Sequence, residues 1–479
     1  MTASTSADAA GQDRQDDVRP GGPAGPPSRQ RAVYEAVVAH REGTFPVERP
    51  PLFSPAAGVQ DRTATGTYGH FGQMLLPTEY TSWVEETQAH VRSCYLGDWS
   101  PLHKIEVTGP QAADFLGWLG MRSPATFQVG RLVHHVQLDQ QGRVASEGVL
   151  LRVAEEVFCY TAGSGDWLTW QLRSGDWDAQ AHDVSPDTFV FGVQGPESLA
   201  VLETALGSGL RDLGFSRSRE AELAGVPVRV LRTGISGELG YEVHGPSPAG
   251  NEVWAALLAA GEPVGIRQLG FRAQPVQHIE AGIATNGLDY LPASIVTPGA
   301  PTQFRSRPPQ GSFVPTAVTD LFRTPGELGW APSSLPSHDF LGRSALAAEL
   351  SAGGSARTLV GLTWDPVDVA AVLGAVVSGA AVDAMELPRS GGLSFDQVLV
   401  GDRLVGVSSG RTLSLNLGAT ISLCVIDREL AAAGTEVAVL WGRPGTAQRR
   451  VAATVTPLPF KPDRRRTDVT TLPARAVGR

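Results

Sequence analysis

Residues able to bind and react are concentrated in Arg232–Pro246 (RTGISGELGYEVHGP). Gly234, Gly237 and Gly240 recur at a fixed spacing, with Glu238 between them and Glu242 just after. Glycines this close together mark a backbone that turns sharply or lets another group approach. Extended structure resumes at Tyr241–His244, where alternation puts Glu242 and His244 on one face and Tyr241 and Val243 on the other. An ionised carboxylate only accepts hydrogen bonds and can take two in parallel. Such a face suits a flat heterocycle bearing adjacent N–H donors; a solvated hairpin with surface charges has the same spacing. His134 and His135 are neighbours on a predicted strand, so they face opposite ways and do not form a chelating pair. There is no P-loop, no dinucleotide glycine fingerprint and no nucleophile elbow.

The elements around this stretch must position it. Val226, Val228 and Val230 alternate on the strand that leads in. After it, Val253, Ala256, Leu257 and Ala260 have helical spacing in Asn251–Ala260, closed by Gly261. Upstream, a strand at Leu102–Thr108 runs into Gly109-Pro110 and a helix carrying Phe115, Leu116 and Leu119. The device recurs at Phe189–Val193, Gly195-Pro196 and a helix with Leu199, Leu202 and Leu206. We read this as a duplicated strand–helix unit within one domain. Strands at Leu132–Leu138, Val144–Arg152 and Val157–Thr161 lie between the copies, and Tyr80–Cys94 is an amphipathic helix.

From Arg357 the pattern changes to short alternating strands separated by Gly, Asp and Pro, ending near Phe460, as in a small β-barrel. The expected organisation is a disordered tail over 1–30, with almost no large apolar groups, then a domain over 31–350 beginning with a short helix at Arg31–Arg41. A barrel follows over 357–460, and then a basic tail over 461–479. The irregular 299–335 is long enough for a functional loop.

At 479 residues the chain has room for two or three domains. Its net charge of −10 argues against nucleic acid as the main partner. It shows neither a run of about 20 apolar residues nor a secretory leader. Cys94, Cys159 and Cys424 are odd in number and far apart, which suits thiols in a reducing cytoplasm.

Arg232–Glu242 resembles the R-T-G-Y-T-G-E-D-G-F-E signature of the aminomethyltransferase family, the T-protein of the glycine cleavage system and its relatives. The resemblance spans roughly Pro77 to Phe460 and includes Asp339–Arg343 (DFLGR) and Pro457–Phe460 (PLPF). It implies an α+β fold with a folate-binding domain and a C-terminal barrel. It implies tetrahydrofolate as cosubstrate, with Glu242 gripping the pterin edge beside Tyr241 and Arg232. Glu147 matches the second Asp of the family's G-G-I-V-D-D, placed near the reacting nitrogen to stabilise charge or shuttle a proton.

Within the family the chain is most similar to the aryl O-demethylases that act on vanillate and syringate. Gly311–Val314 (GSFV), Val439–Gly442 (VLWG), Glu79–Trp83 (EYTSW) and Arg272–Pro275 (RAQP) carry that likeness. Gln274 stands where this subgroup has a tyrosine thought to help the ether leave, and Gln delivers no proton near neutral pH. The subgroup's F-N-Q-S-Y-H-M becomes Gly97–Leu102 (GDWSPL), which puts Trp99 and Leu102 at the Gln and His positions. The substrate-gripping arginine has no counterpart near Tyr160–Gly163.

The folate end is thus partly kept and the donor end rewritten. Trp99, Trp83 and Tyr80 are candidate walls for a methylated small molecule, although buried tryptophans also serve as plain core. His278, which replaces an arginine, is a candidate acid or base or a simple hydrogen-bonding residue. The reading is demethylation of an O- or N-methylated compound to 5-methyltetrahydrofolate. A folate-independent enzyme on the same fold and a non-catalytic folate-binding protein are the alternatives.

Overall fold

A computed structural model describes residues 30–35, 52–60, 67–301, 309–386 and 392–473. The N-terminal tail up to residue 29 and residues 36–41 of the expected first helix lie outside these, as do 302–308 of the long loop and the last six residues. Two large sheets, a two-stranded ribbon (Tyr68–Phe71 with Met74–Pro77) and one barrel organise the described residues. The first sheet has five antiparallel strands in the order Leu132–Leu138, Val144–Ala154, Val157–Ala162, His103–Thr108 and Gln180–Asp183. The second has six, in the order Ser218–Leu223, Val226–Leu231, Gly240–Pro246, Thr188–Gln194, Tyr95–Asp98 and Arg267–Leu269, with only the last pair parallel.

The duplication is real in its hydrogen bonding. His103–Thr108 leads through Gly109 into the helix Ala112–Leu119, and Thr188–Gln194 leads through Gly195 into Ser198–Leu206. Both glycines have positive φ, +119° and +135°. A Cβ on Gly109 would meet the Asp178 carbonyl oxygen and one on Gly195 the Ser93 carbonyl oxygen. The residue two further on donates its N–H to that same oxygen, Gln111 to Asp178 and Glu197 to Ser93, each at 3.0 Å. The two halves meet where Leu132 and Leu151 of one sheet pack on Leu231 of the other.

The third unit is a closed six-stranded barrel, with Arg357–Trp364 paired to both Ala419–Asp427 and Arg449–Thr456. Alternation places Val398, Val405, Val439 and Val451 in its core. An additional helix, Pro366–Val377, is capped by the Asp365 carboxylate, which accepts from Val367 and Asp368 N–H. Among the described residues no helix is long and apolar enough to cross a membrane.

The segment expected as a basic tail is, over 461–473, part of the fold. It runs back across the glycine-rich turn. Lys461 Nζ pairs with the buried Glu238 carboxylate at 2.7 Å, and Arg464 N–H donates to the Gly237 carbonyl at 2.7 Å. Val469 enters the core of the second sheet. Lys461 is held because an acid buried in the first domain needs its charge.

Candidate functional site

The signature glycines do two different things. Gly237 makes the turn, at φ +76°. Gly234 and Gly240 make room for the side chain of Gln194, which any Cβ there would strike, and Gln194 Oε1 accepts the Ser236 N–H at 3.1 Å. Gln194 itself sits on the neighbouring strand, paired with Gly240.

As alternation predicted, Glu242 and His244 share a face, and His244 Nε2 lies 3.0 Å from Glu242 Oε2. Glu242 pairs with Gly192 and Gly192 with Gly97, so two bare backbone positions extend the row beside the carboxylate. Aromatic rings fill that space. The Trp99 indole lies over Gly192, and the Tyr95 ring over Gly97. Phe71 stands edge-on to Trp99 at 6.1 Å and meets Phe271 at 5.8 Å. Trp83 joins the cluster of Trp99, Tyr95, Leu269 and Ala273 under the Arg272 guanidinium.

Helix Gln274–Glu280 packs against the barrel strand Arg403–Ser414 and the helix Trp83–Arg92, and it brings Gln277 to the Tyr95 hydroxyl. Gln274, Gln277 and His278 lie on one side of it by their spacing. The Tyr95 hydroxyl lies among Gln277, Ser236 and Glu242, and burial pushes it well above the usual phenol range. Beyond the helix, His278 Nε2 stands 3.5 Å from Asp289 Oδ2. Asp289 is held by the Ser409 hydroxyl at 2.9 Å and the Thr285 N–H at 2.8 Å. Glu147 takes a hydrogen bond from His134 Nε2 at 2.9 Å, and the His134 ring stands edge-on to Trp330 at 4.8 Å. Tyr290 also packs on Trp330, edge-on at 6.0 Å. Burial, then the Glu147 carboxylate, keeps its hydroxyl protonated. His135 faces the opposite way, bonded to the Leu116 carbonyl at 3.0 Å, and burial pulls it down to about 4.

In this region the buried polar atoms with no hydrogen-bond partner include Trp99 Nε1, Gln194 Nε2, Gln274 Nε2 and Tyr290 Oη. Native interiors satisfy nearly all such groups, so these atoms have bonding capacity to offer a further polar group.

Three of the expected contacts are not made. Tyr241 points into the core between sheet and helices, with Val243 and Trp254, because it lies on the strand face opposite Glu242. Arg232 is buried and spent on backbone, its guanidinium donating to the Leu213 carbonyl at 3.0 Å and to the Thr467 carbonyl. Tyr80 belongs to the same core as Tyr241. Glu242 and Trp99 border the same row of bare backbone and Trp83 packs in the cluster of Trp99, whereas Gln274 and His278 lie on helix Gln274–Glu280 and Glu147 lies on the first sheet beside His134. Sequence reasoning missed Tyr95, Gln194, Gln277, Asp289 and Tyr290. Of these, only Gln194 had a local signal, at the end of the strand before Gly195-Pro196.

A family model described as the GCVT N-terminal domain matches residues 60–294. Sesamin methylene transferase of Sinomonas sp. is 34% identical, the match covering 81% of this chain and 90% of that protein. Syringate O-demethylase of Sphingobium sp. is 30% identical over 80% of this chain and 90% of that protein. The chain belongs to the aminomethyltransferase family. Aminomethyltransferase of Streptomyces coelicolor is 27% identical over 80% of this chain and 91% of that protein. The crystal structure of the aminomethyltransferase T of Bartonella henselae shares the fold, with a TM-score of 0.63 at 21% identity over 83% of this chain and 95% of that one. Enzymes of this family transfer one-carbon units with folate.

Proposed function

We propose that this family member transfers a one-carbon group from an oxygen or nitrogen of a small molecule to tetrahydrofolate. The observation that carries the reading is the Glu242 carboxylate, held by His244 beside a ring-lined floor, together with the buried, unpartnered amide and hydroxyl groups of the region. A pterin edge presents adjacent N–H donors, which Glu242 accepts, while the flat ring lies against Trp99 and Tyr95. Tetrahydrofolate, when bound, supplies the nucleophilic ring nitrogen that receives the carbon.

The remaining chemistry belongs to the side chains. Glu147, braced by His134, takes the proton released at nitrogen. Tyr290 and Gln274 donate hydrogen bonds to the departing heteroatom, which offsets the absence of a tyrosine at position 274. The two relatives named for sesamin methylene transfer and syringate O-demethylation share removal of a one-carbon group, a methylene in one and an O-methyl in the other. An aryl ether is therefore the first substrate class to try here.

The test is anaerobic incubation of the protein with tetrahydrofolate and either an aryl methyl ether or an aryl methylenedioxy compound, read by mass spectrometry. We expect 5-methyl- or 5,10-methylenetetrahydrofolate, with release of the free phenol. Absence of a folate product from both ether classes and from N-methyl donors sinks the reading.

A further inference from the structure

Arg131 and Arg217 face each other as an isolated antiparallel bridge on the seam between the two sheets. The Ser218 N–H to Gly130 carbonyl bond at 2.7 Å and the Leu132 N–H to Ser216 carbonyl bond at 3.2 Å hold this seam closed. With Thr126, Phe127 and Gln128 the two arginines line a cleft of about 390 Å³, within the roughly 300–1,000 Å³ range of small-molecule sites. The Arg131 guanidinium lies 5.6 Å from the Phe127 ring centre, and Arg217 Nη1 is buried without a hydrogen-bond partner.

The surrounding arginines are different. Arg152 pairs with Glu155 at 3.0 Å, Arg219 with Asp212 at 2.8 Å and Arg229 with Glu220 at 2.5 Å. Among the described residues neither Arg131 nor Arg217 pairs with a carboxylate, in a chain where acids outnumber bases 49 to 39. Two guanidinium groups on facing residues repel, and a buried N–H without an acceptor is unfavourable. Both defects vanish if an anion lies between the two side chains, where guanidinium forks match carboxylate or phosphate oxygens in pairs.

We infer that the cleft between Arg131 and Arg217 is an anion site, taking a carboxylate or phosphate group. One source is the glutamate end of the folate, a reading that rests on the proposed function. Ser218 pairs with Leu231 and Leu231 with Glu242, so the backbone of the seam lies two strands, about 10 Å, from that of Glu242. Arg217, next to Ser218, presents to the opposite face of the sheet, and a folate tail reaches it only by passing the edge of the sheet at the seam. Folate carries its carboxylates at the end opposite the pterin. The other source is a free anion of the same chemistry.

Calorimetry on the full chain separates the two. Tetrahydrofolate, tetrahydropterin without the glutamate tail, and inorganic phosphate without any folate are titrated into the wild type, Arg131→Gln and Arg217→Gln. If the tail is the ligand, tetrahydrofolate binds at least tenfold more tightly than tetrahydropterin, and either variant removes that advantage. If a free anion is the ligand, phosphate binds the wild type at least tenfold more tightly than the variants, and the tail makes no difference. The unliganded variants melt at or above the wild-type temperature, because the repulsion is relieved. If neither variant weakens any probe, the anion site is overturned. Failure of the folate reading appears separately, as absence of pterin binding, and the phosphate titration still decides the site.

Discussion

Replacing Glu242 with Gln tests the centre of the site with almost no change in volume. In the structure one carboxylate oxygen receives the His244 hydrogen bond at 3.0 Å, and the side chain keeps 18% of its surface exposed. The other oxygen remains open to a ligand's donors. Glutamine removes the charge and turns one acceptor into a donor, which then opposes the N–H groups it should receive. A hydrogen bond to a charged group contributes about 1.5–3 kcal/mol. Tetrahydrofolate binding to Glu242→Gln should therefore be roughly 10- to 150-fold weaker. Because the residue is partly exposed, the melting temperature should hold within a few degrees. Anaerobic calorimetry gives the dissociation constant directly. His244→Ala, which only removes the brace, should cost a smaller factor, about three- to tenfold. A Glu242→Gln dissociation constant within twofold of wild type would place the pterin elsewhere and refute the reasoning.

Four further outcomes follow from named contacts. Tyr290→Phe removes an unpartnered hydroxyl, so turnover should fall about 100-fold with no loss of melting temperature; turnover equal to wild type removes Tyr290 from the chemistry. Burial lowers the Lys104 ammonium from 10.5 to about 8, with the Ser100 carbonyl at 2.6 Å as its hydrogen-bond partner. Between those values the unfolded chain binds more protons, so stability should rise with pH over that window, by up to about 3 kcal/mol. Lys104→Met should flatten the rise in urea denaturation and stabilise the protein at pH 7 by about 1–2 kcal/mol, the lost bond to Ser100 offsetting part of the gain. Lys461→Met strands the buried Glu238 carboxylate, with Arg464 left at 3.7 Å, and should cost about 3 kcal/mol, seen as a drop of several degrees in melting temperature. Gly195→Ala should lower expression and stability sharply, by about 3 kcal/mol or more. Gly207→Ala, at φ +62° in open space, should cost only about 1 kcal/mol.

What the sequence determined by itself was local and periodic. The repeated Gly-Pro after a strand marked the duplicated unit, because a positive φ and a close carbonyl leave no room for a side chain at Gly109 and Gly195. Each of the six barrel strands was marked by alternation strong enough to read alone. Alternation also placed Glu242 and His244 together, and it already set Tyr241 on the other face, where the core takes it. The strands Tyr95–Asp98 and Arg267–Leu269 are too short to show a period, yet they carry or position Tyr95 and complete the floor beside Glu242.

Tertiary structure decided the rest. Gln194 meets Gly234, Tyr95 lies close to Gln277 and Ser236, and Asp289 meets His278 only because strands and a helix distant in the chain are packed together. Lys461 reads as tail until Glu238, 223 residues earlier, is found buried and in need of a cation. Periodicity reports which face of an element is apolar. It carries no record of which other element that face meets, and a site built from several elements is settled only when they pack.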